Sequence, residues 1–111
     1  MFEQEIRAGR ICKGMSFNQK VWALTTRIPA GKVTTYAEIA HKLGTRGYRA
    51  VGNALNRNPY APQVPCHRVV GSTGGLTGFA GGLSKKHEML VAEGVATQGR
   101  RVDLKRHFVS L

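Results

Sequence analysis

The stretch "TTYAEIAHKLGTRGYRAVGNALNRNP", Thr34 to Pro59, decides the fold. Thr35 and Glu38 have the spacing of a helix capping box. Tyr36, Ile39, Ala40 and Leu43 then recur at helical intervals and share one face. Gly44 suits the position just past a helix end. A further helix is expected to begin near Thr45 or Arg46, with Ala50, Val51, Ala54 and Leu55 as its apolar strip. It should end at Asn58, because Pro59 disfavours helix at the residue before it. Two short helices joined at a glycine, the second carrying Arg46, Arg49 and Arg57, read as a helix-turn-helix. Gly47 and Gly52 are poor helix formers. They signal either a kinked helix or, with Ala50 and Ala54, a bare backbone that DNA approaches closely.

Outward from this pair, Ser16 is a candidate N-cap. Phe17, Val21, Leu24 and Ile28 follow it on one helical stripe with Trp22 beside them. That helix should stop before the turn "PAGK", residues 29 to 32. Residues 1–15 read as a loosely structured lead-in to a domain spanning 16–111. Beyond the pair, Pro59, Pro62 and Pro65 forbid a continuous helix or central strand and make a stiff loop leading to Cys66. Val69 and Val70 suit a short strand, "GSTGG" a turn and "LTGFAGG" a glycine-rich loop. A last helix is expected from about Leu83 to Glu93, with Leu83, Leu90 and Val91 inward and Gly94 closing it. The tail "RRVDLKRHFVSL" alternates weakly, which suits an edge segment or a mobile end. The expected fold is mainly α with a small β element, a winged-helix-like helix-turn-helix domain.

Seventeen Lys and Arg oppose six Asp and Glu, a net charge of +11 over 111 residues. From Ile39 to His87 there is no acidic residue, whereas Lys42, Arg46, Arg49, Arg57, Arg68, Lys85 and Lys86 lie in that span. Such one-sign charge points to a polyanion, nucleic acid being the usual one; a solvated basic surface is the alternative. The N-terminus is charged and has no secretory apolar run, and no stretch is long and apolar enough for a membrane span. The expectation is a soluble intracellular protein, cytoplasmic or nuclear, with reduced thiols.

In "VPCHRVVG", Val64 to Gly71, a cysteine stands between a proline and a histidine. Cys12 is the only other cysteine, too few for a disulfide framework. Cys12, Cys66, His41, His67, His87 and His107 form no C-x-x-C or H-x-x-x-H pattern, so no metal site is expected. Two readings of Cys66 remain open on composition. It is a buried structural residue, or a reactive thiolate favoured by His67, Arg68 and acid-free surroundings. Side chains of adjacent residues diverge in an extended segment, so His67 would reach Cys66 through a water or after a sharp bend.

Pro65-Cys66-His67-Arg68-Val69 matches the P-C-H-R-V signature of the O6-alkylguanine-DNA alkyltransferases, the methylated-DNA–protein-cysteine methyltransferases. "IPAGKVTTYAEIA", "RAVGNALNRNP", "GGL" and "EGV" stand in that family's order. The chain resembles the family over roughly residues 16 to 94. The resemblance implies single-use repair. An alkylated guanine is flipped out of double-stranded DNA, and its O6-alkyl group is transferred irreversibly to Cys66, without a metal or cofactor. By the same resemblance His67 is the base, acting through a water, and Glu93 orients it. Asn58 is the hinge joining recognition helix to active-site loop. Tyr36 helps rotate the nucleotide and donates to guanine N3, and Arg49 fills the gap in the stack. Arg46, Ala50, Gly52 and Asn53 contact DNA from the minor groove, and Leu55, Val69, Phe79 and Ala80 line the base pocket. A monomer is implied. Two departures stand out. The family usually carries an additional N-terminal domain, and Phe79-Ala80 replaces a common tyrosine-serine, removing a hydroxyl near O6. The competing reading is the alkyltransferase-like class, which binds alkylated DNA and flags it for excision repair without transfer. Its members have tryptophan or alanine where Cys66 stands.

Overall fold

The computed structural model describes residues 2–77 and 82–111. In chain order the elements are α1 (Glu3–Arg7), α2 (Phe17–Thr26), β1 (Thr34–Thr35), α3 (Tyr36–Lys42), α4 (Tyr48–Asn56), a 3-10 turn (Cys66–Arg68), β2 (Val69–Val70), α5 (Leu83–Ala92), β3 (Thr97–Gln98), β4 (Arg101–Val102) and α6 (Leu104–His107).

Ser16 starts α2 as expected, through a full capping box. Its hydroxyl accepts from Gln19 N–H, and the Gln19 carbonyl oxygen accepts from Ser16 N–H. Val21, Leu24 and Ile28 from the predicted stripe are fully buried, and Phe17 is half-buried. They pack with Ile39, Ala40, Val51, Ala54, Leu55 and Val69 to form the main core. Each buried Val, Leu or Ile contributes about 1.5–3 kcal/mol relative to exposure. Trp22 ties α2 to α4 by donating to the Ala54 carbonyl at 2.7 Å.

The helix-turn-helix is α3–α4, with three differences from expectation. The Thr35 hydroxyl caps α3 by accepting from Glu38 N–H, but the Glu38 carboxylate turns away to accept from Ser110 Oγ and Leu111 N–H, each at 2.9 Å. A tertiary partner therefore replaces the second half of the capping box. Gly44, with φ +72°, closes the α3 end as predicted. Helix α4 then begins only at Tyr48, because Gly47 occupies the N-cap, and it ends at Asn56 rather than Asn58. Arg46 thus lies in the turn and Arg57 just past the helix. Of the three arginines expected on this helix, only Arg49 is in it.

Two small sheets flank the helices. β1 and β2 run parallel, with Thr34 opposite Val69 and Thr35 opposite Val70. The tail extends this sheet: Val33 N–H donates to the His107 carbonyl and Val109 N–H to the Val33 carbonyl. β3 and β4 form an antiparallel hairpin. The tail is therefore an edge segment locked in place, not a mobile end.

Residues 2–15 are not a loose lead-in. Ile6 of α1 is fully buried and clusters with Met15 and Val64, with Phe2, Cys12, Trp22 and Tyr60 against them. The local pattern is too short to announce a helix; it forms because α2 and the proline loop cover its one apolar residue. The last helix also differs on its inner face. Leu90 is buried, but Val91 is 52% exposed, and the inward position is taken by Lys86, which is fully buried.

Candidate active site

Pro65 makes the bend that places Cys66. Its φ of −85° and ψ of 69° describe an inverse γ-turn, closed by Cys66 N–H donating to the Val64 carbonyl at 2.9 Å. The chain then winds one 3-10 turn through Cys66, His67 and Arg68 before entering β2. Cys66 is a free thiol, half-buried against the main core. This is the sharp bend that an extended segment would lack, although Cys66 and His67 share no direct hydrogen bond among the described residues.

His67 is buried, and its Nε2–H donates to Glu93 Oε2 at 3.0 Å. With Nε2 as donor to the carboxylate, Nδ1 carries the free lone pair. Burial lowers the His67 pKa, an effect that outweighs the Glu93 hydrogen bond and charge, so the ring is neutral at pH 7. Glu93 is the C-cap of α5. Burial would raise its pKa, but hydrogen bonds from Arg68 and His67 overcome this and hold it below the usual carboxylate range. Arg68 grips the same carboxylate with two nitrogens, Nε lying 2.9 Å from Oε1, and donates through Nη1 to the Ile28 carbonyl at 2.7 Å. The one guanidinium thus joins α5 to the end of α2. This bidentate geometry is specific to arginine. The charge on Arg68 also compensates a carboxylate at a helix C-terminus, where the dipole disfavours it.

A second cluster lies around Tyr36, at the start of α3. Its hydroxyl donates to the Thr77 carbonyl at 2.9 Å. Lys86 Nζ donates to that carbonyl at 2.7 Å and approaches the Tyr36 hydroxyl at 3.4 Å. Burial pushes the Lys86 pKa down to about 8. Burial raises that of Tyr36, and a charge on Cys66 raises both, which links this cluster electrostatically to the thiol. Lys86 and the clamping role of Arg68 were missed from sequence. Lys86 had a signal: it stands at a helical interval from Leu83 and Leu90, a charge on an apolar face.

Tyr36 also forms one wall of an open cleft of about 580 Å³, lined with Arg46, Arg49, Gly52, Asn53 and Thr77 among others. Arg49, Ala50 and Asn53 are exposed on α4, and Tyr48 projects with 52% of its surface free. A Cβ built on Gly52 would meet nothing within 4 Å, so its bare backbone faces open space. Asn58 lies between α4 and the loop that leads to Cys66. Its Nδ2–H donates to the Val64 carbonyl at 2.7 Å and its Oδ1 accepts from Tyr60 N–H at 2.9 Å. Leu55 and Val69, expected to line the base pocket, are buried in the core against which Cys66 packs. Phe79 and Ala80 lie outside the described residues. No cluster of three or more His, Cys, Asp or Glu that could hold a metal ion is found among the described residues. Nor is any described helix long and apolar enough to cross a membrane.

A helix-turn-helix is thus followed by a free thiol on a tight turn, backed by an imidazole–carboxylate pair. Residues 16–95 match the family model described as 6-O-methylguanine DNA methyltransferase, DNA binding domain, and the chain belongs to that family. The methylated-DNA–protein-cysteine methyltransferase of Methanosarcina barkeri is 51% identical over 82 residues, covering 73% of this chain and 52% of that protein. Its counterpart in Mycolicibacterium paratuberculosis is 46% identical over 82 residues, 73% of this chain and 50% of the relative. The chain thus spans about half the length of the curated relatives it matches. Among solved structures, Schizosaccharomyces pombe Atl1 bound to damaged DNA containing O6-carboxymethylguanine superposes with a TM-score of 0.74 at 32% identity, covering 86% of this chain and 95% of Atl1. Mycobacterium tuberculosis OGT in complex with DNA gives a TM-score of 0.68 at 39% identity, covering 81% and 62% respectively.

Proposed function

We propose that this protein repairs O6-alkylguanine in double-stranded DNA by moving the alkyl group irreversibly onto Cys66. The observation that carries the reading is the Cys66–Arg68 turn, where the thiol adjoins a neutral imidazole whose Nε2–H is held by Glu93. His67 Nδ1, through a water, takes the thiol proton, and Glu93 stabilises the imidazolium that forms. The thiolate attacks the alkyl carbon; the S–C bond forms as the C–O6 bond breaks, and the electron pair leaves with guanine. The Tyr36 hydroxyl gives guanine N3 a proton, and the Lys86 ammonium beside it replaces that proton. The C–S bond of the resulting thioether is not activated and water does not cleave it, so each molecule reacts once. No cofactor enters any of these steps.

The cleft beside Tyr36 suits a flipped nucleotide, with Arg49 filling the stack and Arg46 and Asn53 on the backbone. The exposed small residues Ala50 and Gly52 favour a minor-groove approach by α4, where little sequence is read. Asn58 keeps the nucleophile loop in register with that helix.

A second reading is lesion binding without transfer. The fit to Atl1, with a TM-score of 0.74 against 0.68 for the mycobacterial OGT, favours it. Cys66 favours transfer. The protein is mixed with duplex carrying O6-methylguanine, and its intact mass and modified peptide are measured. A gain of one methyl on Cys66, absent in Cys66→Ala, is expected. Tight binding with no mass gain leaves the lesion-binding reading in its place.

A further inference from the structure

The β3–β4 hairpin and α6 take no part in the chemistry above, yet they carry Arg100, Arg101, Lys105 and Arg106, all exposed. Carboxylate pairing among the described residues is confined to Arg7, His67 and Arg68, so none of these four cations is neutralised. Asp103, the acid among them, is occupied in capping α6.

The hairpin tip has a fixed place. Val102 N–H donates to the Gly74 carbonyl at 2.8 Å and Leu76 N–H to the Arg100 carbonyl at 2.9 Å, and Gly75 bridges Arg101. Gly74 has a φ of +89°, and a Cβ there would lie 2.3 Å from the Val102 carbonyl oxygen, so the two segments pack backbone to backbone. Leu76 is followed directly by Thr77, the cleft-wall residue whose carbonyl holds Tyr36 and Lys86. One residue is about 3.8 Å of chain. The Arg100 backbone therefore stands one residue from the cleft wall, while Arg101 and Lys105 line a separate open cavity on the hairpin side.

We propose that Arg100 and Arg101, on the hairpin fastened to residues 74–76, form a second phosphate-binding edge of the DNA interface. This edge grips the backbone beside the lesion while α4 occupies the groove. The inference rests on the DNA-binding reading above. The chemistry fits: unpaired guanidiniums are standard phosphate partners, and they hold the duplex without reading sequence. A rigid edge loses little conformational entropy when it docks.

The test is the salt dependence of duplex affinity, by fluorescence anisotropy, for the wild type and Arg100→Gln/Arg101→Gln on matched lesion and undamaged duplexes. Each phosphate contact adds about 0.9 to the slope of log affinity against log salt. The double variant should lose about 1.8 from that slope, so a fourfold rise in salt costs it about tenfold less affinity than the wild type. The loss should be the same on both duplexes. Arg10→Gln/Lys13→Gln removes the same charge from the N-terminal segment and should leave the slope near the wild-type value. A hairpin variant with the wild-type slope overturns the proposal, as does an equal fall in the N-terminal control. Failure of the wild type to bind any duplex sinks the DNA-binding reading and the second edge with it.

Discussion

Lys86 shows how a single side chain is held against its own preference. Its pKa drops from 10.5 to about 8 because it is buried, a shift that corresponds to about 3 kcal/mol of strain at neutral pH. Its hydrogen bond to Thr77 is one offset, of about 1–2 kcal/mol. The unfolded chain holds this proton up to about pH 10.5, so wild-type stability rises as pH climbs from about 8 to that value. Lys86→Met should therefore be about 1–2 kcal/mol more stable at pH 7 by urea unfolding, with the gap closing above pH 10. Under the proposed mechanism it should also transfer the alkyl group roughly 10–100-fold more slowly, because the proton source proposed behind Tyr36 is gone. A variant less stable than the wild type at pH 7 would contradict the cost assigned to burial. This residue was legible only as an anomaly on an apolar stripe. Cys66 and His67 stood out as chain neighbours, but composition left the role of the thiol open and only the resemblance supplied an expected one. The reach of Arg68 to both Glu93 and Ile28 was not, since the partners lie 25 and 40 residues away.

Two elements invite opposite tests. On α4, Gly52 faces open space, so Gly52→Ala should stabilise the helix by about 0.5–1 kcal/mol through propensity alone. The same methyl should weaken duplex binding if the helix backbone sits close to DNA. Unchanged affinity in Gly52→Leu would show that nothing approaches this face. On α1, Ile6 lies beneath the loop that carries Tyr60 and Val64. Arg7 stands 5.4 Å from the Tyr60 ring centroid, and Trp22 meets that ring edge-on. Ile6→Ala should cost about 2–4 kcal/mol in denaturant unfolding; a loss below about 1 kcal/mol would mean that residues 2–15 are only draped on the domain. The α2 and α3 caps were readable because a cap is a contact between residues three apart. The late start of α4 was misread, because its apolar strip extends no further back than Ala50 while Gly47 sets the boundary.

Across the whole molecule, the shifted groups agree in sign over most of the pH range. Glu93 is depressed, so its contribution is present above about pH 4.5 and is lost as pH falls through its lower folded value. Burial depresses His67, so its contribution is present above about pH 6.5 and fades on acidification. Lys86 adds stability from about pH 8 upward. Tyr36 is raised, so its contribution holds below about pH 10 and is lost as pH climbs through its folded value. A net charge of +11 adds self-repulsion that base relieves. Thermal melts at fixed ionic strength should therefore give a Tm that rises from pH 5 to pH 9. A Tm that peaks at neutral pH and declines by pH 9 would refute this balance.

The amino-acid sequence by itself determined the local architecture: the stripe of α2, its Ser16 cap, the Gly44 break, the stiff approach to Cys66 and the basic, acid-poor middle of the chain. These depend on residues a few positions apart, where propensity and spacing act without help. Only the tertiary structure decided the rest. Tyr36 meets Thr77 across 41 residues and Lys86 across 50, and His67 meets Glu93 across 26. The hairpin tip finds its place only through backbone bonds to residues 74–76. Such partners are chosen by burial, which makes an unpaired polar group costly and so selects whichever distant group satisfies it.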